Sequence, residues 1–136
     1  MKDRCGYAYG DREKPLVVIL EDDRVSGWAM EMILRDAGYK TLLASAGEDA
    51  LQVVRSKGVV PASIISDFHL GGRMNGLEAA NAIARVTGET IPTIITSHRG
   101  NGEATQGAAW SGYSFCPKPI DPATILDLVA EAVAGR

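Results

Sequence analysis

Short β-branched runs alternate with segments of helical period along most of this chain, and that alternation narrows the folds open to it. Residues 16–20, 39–44, 62–66, 91–96 and 113–117 read as five strands. Helical segments separate them, the pattern of βαβ units and a parallel sheet. After the first strand, Val25, Trp28, Ala29, Met32 and Ile33 recur at helical spacing. They predict one apolar stripe laid on the sheet, with Trp28 in the core. Gly38 stops this helix. Ser45 with Glu48 matches a capping box opening a helix that carries Ala50, Leu51 and Val54. Asn75 with Glu78 matches another, leading into Leu77, Ala80, Ile83 and Ala84. Asp121 and Pro122 suit the N-cap and first position of a last helix lined by Ile125, Leu128, Val129, Ala132 and Val133.

One unit is weaker. Gly100, Gly102, Gly107 and Gly112 fall between the fourth and fifth strands, and each costs about 1 kcal/mol against Ala inside a helix. A short or mobile fourth helix is expected over residues 103–110, with Trp110 either packed beneath it or standing on a partner surface. Five strands and five helices in alternation predict an α/β fold, a doubly wound three-layer sandwich.

A length of 136 residues suits one domain with a single core. A net charge of −3 gives no electrostatic case for binding nucleic acid or anionic membranes. No apolar run is long enough to predict a transmembrane helix. Residues 1–14 read as a flexible extension without the apolar core of a secretory signal, ahead of a domain over 15–136. Cys5 and Cys116 have no metal-ligand spacing and read as reduced thiols, which predicts a cytoplasmic protein.

The reactive side chains fall at strand ends. Glu21 and Asp22 close the first strand, Asp67 the third, Ser97 the fourth and Lys118 the fifth. Ligands of open parallel sheets bind outside the carboxyl ends of the strands. Three acids, a hydroxyl and an amine there point to a divalent cation and a phosphoryl group. Singly, each has a plainer reading: the acidic pair as a helix cap, Lys118 as a solvated charge, Ser97 as a turn residue. Together at one edge they read as a site. His69 and His98 read as satisfied or solvent-facing imidazoles.

These segments resemble the receiver domain of two-component response regulators. The resemblance covers about residues 15–133 and rests on Ile19-Leu20-Glu21-Asp22-Asp23, Ser66-Asp67-Phe68-His69-Leu70-Gly71, Asn75-Gly76-Leu77-Glu78, Pro92-Thr93-Ile94-Ile95-Thr96-Ser97 and Cys116-Pro117-Lys118-Pro119-Ile120, in that order. It implies a flavodoxin-like five-stranded parallel sheet of order 2-1-3-4-5. It implies Asp67 as phosphoacceptor, forming an aspartyl phosphate. It implies Mg²⁺, with Mn²⁺ as an alternative, held by Asp22, Asp67 and the His69 backbone carbonyl, with Glu21 acting mostly through water. Ser97 and Lys118 then contact phosphoryl oxygens, Phe115 is the switch aromatic, and the Lys118–Pro119 bond is cis. The implied donor is a sensor histidine kinase or histidine phosphotransfer protein. The implied output is a protein target, as yet unknown, that meets the surface of the fourth helix, fifth strand and fifth helix, on a monomer or weak homodimer.

The sequence departs from the family in places. His98 stands where a small residue is usual and is expected to restrict donor or water access. His69 and Arg99 occupy the positions that tune phosphate lifetime. Phe115 lacks the hydroxyl of the commoner Tyr. The chain ends soon after its last helix, so a receiver without an output domain is expected, either stand-alone or the receiver portion of a larger chain, and Met1 favours the former. Other readings are a phosphate-independent docking module and a hydrolase with an aspartyl nucleophile. The second is disfavoured because His69, not an acid, lies two residues after Asp67. A flavin module is disfavoured because the acidic edge repels a flavin phosphate.

Overall fold

A computed structural model describes residues 14–135; the proposed extension over 1–14 lies, but for Lys14, outside the described residues, as do Cys5 and Arg136. Strands and helices alternate without exception: β1 (Leu16–Leu20), α1 (Arg24–Asp36), β2 (Lys40–Ala44), α2 (Gly47–Lys57), β3 (Ser63–Asp67), α3 (Gly76–Thr87), β4 (Thr93–His98), α4 (Gly102–Ser111), β5 (Ser114–Lys118) and α5 (Pro122–Ala134). The strands form one parallel sheet of order β2-β1-β3-β4-β5, the flavodoxin-like arrangement expected. The order reverses between β1 and β3, the position at which such sheets open a crevice.

Every residue of β1 is buried, as a strand covered on both faces requires. Leu16, Val18 and Leu20 pack with Ile64 against Ala50 and Val54 of α2 and Ala80 and Ile83 of α3. Val17 and Ile19 point the other way, joining Met30 and Leu34 of α1 with Ile125 and Val129 of α5. A smaller cluster of Phe68, Ile95, Ala104 and Ala108 seats α4.

The stripe predicted for α1 is out of phase. Val25, Trp28 and Met32 are exposed, Trp28 at 54%, so Trp28 is not a core residue, and Ala29 is exposed as well. Gly27, Met30 and Leu34 are the buried positions, and only Ile33 of the predicted set packs partly against the core. The cause is the close approach of α1 to β2. A Cβ on Gly27 would stand 3.0 Å from Leu43 Cδ1, so the sheet-facing row is led by a glycine that hydrophobic periodicity does not count. Trp28 instead lies under the Arg24 guanidinium, 6.0 Å from the ring centroid.

The capping box predicted from Ser45 and Glu48 does not form. The N-cap of α2 is Ala46, without a side-chain bond. The Glu48 carboxylate accepts from the Arg73 backbone N–H at 3.0 Å instead, tying the loop after β3 to α2. The other caps form as expected: Asn75 and Glu78 make a reciprocal box, and Asp121 caps α5 with Pro122 following. The fourth helix is longer than its glycines suggest. Asn101 caps its start, Gly112 ends it in the left-handed conformation, and Leu77 packs where a Cβ on Gly107 would be. Trp110 is 82% exposed, so it stands on the surface. No helix among the described residues is long and apolar enough to cross a membrane.

Candidate functional site

Strand register brings the predicted residues to one edge. Leu20 pairs with Ser66, so Glu21 and Asp67 leave neighbouring strands side by side. Asp67 pairs with Thr96, and Ser97 and His98 with Pro117 and Lys118. Lys118 Nζ stands 3.0 Å from Asp67 Oδ2 and 3.4 Å from Glu21 Oε1. Glu21 Oε2 also accepts from the Asp23 backbone N–H at 3.1 Å.

The three acids after β1 divide their work. Asp23, named above only within the first strand-end segment, caps α1: its carboxylate accepts from Ser26 N at 2.9 Å and Ser26 Oγ at 2.6 Å. The Ser26 hydroxyl bond, then the Ser26 amide bond, hold its carboxyl below the usual range. The D-x-x-S spacing was the available signal. Glu21 and Asp22 remain for the site, with ligand oxygens that lie, with one from Asp67, within 4.8 Å of one another. Burial pushes the Glu21 carboxyl up, and the Asp23 amide and Lys118 offset only part of that. Burial disfavours the Lys118 charge, but the hydrogen bond and attraction of Asp67, with Glu21 behind it, outweigh burial and raise its pKa.

Three clustered carboxylates, two of them paired with one ammonium, leave an excess of acidic groups, and all three donors are hard oxygens. That set fits Mg²⁺ or Mn²⁺ and offers no soft ligand. A cleft of about 280 Å³ opens beside them, lined by Glu21, Asp67 and Lys118 together with Met30, Ile65 and Ile120.

Ser97 is buried at the end of β4, and its Oγ accepts from Asn101 Nδ2 at 2.9 Å. Asn101 was absent from the sequence reading. Its offset of four residues from Ser97, as the N-cap of α4, was its signal. Phe115 is half-buried and packs against the Phe68, Ile95, Ala104 and Ala108 cluster beneath α4. His69 is exposed, its ring edge-on to Phe68 at 4.9 Å. His98 and Arg99 are exposed at the rim. The Lys118–Pro119 peptide is cis, as expected.

Comparison with known proteins agrees with this architecture. Residues 17–130 match the family described as response regulator receiver domain. The transcriptional regulatory protein AfsQ1 of Streptomyces coelicolor is 28% identical over 123 residues, covering 90% of this chain and 52% of that protein. The chain spans about half the length of such curated relatives. A Chloroflexus aurantiacus J-10-fl protein whose crystal structure is described as that of a proposed response regulator superposes with a TM-score of 0.78 at 26% identity, over 89% of this chain and 98% of that one. The receiver domain of the sensor histidine kinase PA1611 from Pseudomonas aeruginosa PAO1, solved with a magnesium ion in its active-site cleft, superposes at 0.76 with 20% identity, over 89% and 98% of the two chains. The chain belongs to the response regulator receiver domain family.

Proposed function

We propose that the protein is a phosphorylation-controlled switch whose phosphoacceptor is Asp67. The observation that carries this reading is the Lys118 ammonium held between Asp67 and Glu21, on an edge that also bears Ser97. Glu21, Asp22 and Asp67, with the His69 backbone carbonyl, would hold Mg²⁺, with Mn²⁺ able to replace it. When bound, that cation neutralises charge on the phosphoryl oxygens.

An Asp67 carboxylate oxygen attacks the phosphorus of a phosphohistidine. The new O–P bond forms as the N–P bond breaks, and the imidazole nitrogen leaves with its electron pair. Lys118 is placed to draw one phosphoryl oxygen, and the Ser97 hydroxyl to donate to another. Attack of water on the same phosphorus breaks the Asp67 O–P bond, releases inorganic phosphate and returns the carboxylate, so the protein turns over only its own modification. The donor is a sensor histidine kinase or a histidine phosphotransfer protein in the cytoplasm. The response is a population shift in which Ser97 and Phe115 carry the change to the α4–β5–α5 surface, where a protein target binds. His98 and Arg99 at the rim tune access and lifetime, together with His69.

Intact-mass spectrometry after incubation with acetyl phosphate tests the reading, with and without Mg²⁺, on wild type and Asp67→Asn. One labile phosphoryl adduct that needs both Mg²⁺ and Asp67 is expected. No adduct from acetyl phosphate or from a phosphohistidine donor would leave the chain a docking module of receiver fold.

A further inference from the structure

One side chain joins the Ser97 hydroxyl to the start of α4. Asn101 Oδ1 accepts from the Ala104 backbone N–H at 3.1 Å, and Asn101 Nδ2 donates to Ser97 Oγ at 2.9 Å. The orientation of the amide is forced, because a backbone N–H can only donate and therefore takes the oxygen. The Asn101 carbonyl accepts from the amide and the hydroxyl of Thr105, at 3.1 and 3.0 Å, so the residue is fixed to the first turn of α4 from two directions. His69 Nε2 lies 3.5 Å from the same Asn101 nitrogen.

A serine hydroxyl has two lone pairs and one proton. The Asn101 amide fills one lone pair and leaves the proton to be donated. Without that donor, a buried Ser hydroxyl turns toward a nearby backbone carbonyl. We propose that Asn101 is a positioning residue, holding the Ser97 hydroxyl ready to donate to a phosphoryl oxygen on Asp67 and making the α4 N-terminus register when that hydroxyl is engaged. The inference rests on Asp67 being the phosphoacceptor. Donation of the Ser97 proton to a phosphoryl oxygen makes its Oγ a better acceptor and tightens the bond from Asn101. The same side chain caps Ala104, so the cap adjusts with it, ahead of any repacking of Phe115 against Ala104 and Ala108.

The test compares wild type, Asn101→Ser, Ser97→Ala and the double variant under acetyl phosphate and Mg²⁺. Serine keeps a good N-cap but loses the amide. Asn101→Ser is expected to slow labelling of Asp67 by about fivefold, the worth of one hydrogen bond, and the double variant to be no slower than Ser97→Ala. In wild type, phosphorylation is expected to change exchange protection of the Ala104 amide by roughly threefold or more. Both single variants should lose that response while still carrying the adduct. Wild-type labelling in Asn101→Ser, or effects of the two substitutions that multiply, would overturn the inference alone. If Asn101→Ser loses protection throughout α4 before phosphorylation, Asn101→Asp replaces it: the carboxylate caps but cannot donate, and wild-type labelling there would equally overturn it. Absence of any adduct on wild type would remove the phosphoacceptor reading and the inference together.

Discussion

The Lys118 ammonium is shared between Asp67 at 3.0 Å and Glu21 at 3.4 Å, one cation serving carboxylates carried by β3 and by the end of β1. In the proposed phosphoryl transfer, a point charge so placed would oppose the repulsion between the incoming group and the acids around it. Lys118→Ala is expected to slow labelling of Asp67 by acetyl phosphate about 100-fold, the scale seen when a positioned charge stabiliser is removed. Lys118→Arg should not restore the rate, since the planar guanidinium cannot occupy the space of an ammonium. Intact-mass time courses measure both.

Burial raises the Glu21 carboxyl above its ordinary value, and neighbouring Asp67 adds to that. A carboxyl raised in the folded state favours folding below its unfolded pKa and loses that contribution as pH rises through the folded value. At pH 7 the ionised Glu21 therefore costs stability in the metal-free protein. Glu21→Gln is expected to raise Tm there by about 1–3 °C, with no gain near pH 3, well below the ordinary carboxyl range, where the group is protonated in both states. Added Mg²⁺ should raise the wild-type Tm more than that of the variant. Thermal melts at the two pH values, with and without the cation, check all of this.

Gly76 opens α3 directly beneath the end of β3, which carries Asp67. A Cβ there would stand 2.2 Å from the Asp67 carbonyl oxygen and 2.7 Å from Ser66 Oγ. Neither atom can yield cheaply: the Asp67 carbonyl is backbone, and the Ser66 hydroxyl is bonded to that same carbonyl at 2.9 Å. Gly76→Ala is expected to destabilise the fold by about 3 kcal/mol, read as a lower denaturation midpoint. Asp67 labelling should fall as well, because the strand end must shift.

The out-of-phase face of α1 predicts opposite outcomes for two nearby apolar residues. Trp28 is 54% exposed and Met30 is 8% exposed. Trp28→Gln should change stability by less than about 0.5–1 kcal/mol, the combined scale of a surface substitution and one exposed cation–π contact. Met30→Ala should cost about 2–3 kcal/mol through the cavity it leaves. Urea midpoints decide between them. A larger loss at Trp28 would return that residue to the core.

Much of the fold was legible because its signals are local. Strand runs, the Asn75–Glu78 box and the Asp121–Pro122 helix start each lie within a few residues and formed as read. The failures have physical causes. Glu48 carries the signature of a capping box, but a loop 25 residues away recruits its carboxylate. Gly27 conceals the inner face of α1, since a close helix–strand contact selects the absence of a side chain. Glycine content understated α4, whose ends are capped and whose Gly107 is packed by Leu77 from α3.

Sequence by itself determined the alternating architecture, the strand ends that carry Glu21, Asp22, Asp67, Ser97 and Lys118, and the caps that begin α3 and α5. These follow from side-chain periodicity and near-neighbour hydrogen bonding, which act within a few residues of chain. Tertiary structure alone decided that Lys118 reaches Asp67 and Glu21, across 51 and 97 residues of sequence. It also decided that Asn101 faces Ser97 and that Trp28 faces solvent. Such contacts depend on parallel register and on how closely each helix approaches the sheet, and both are settled only when the whole core packs.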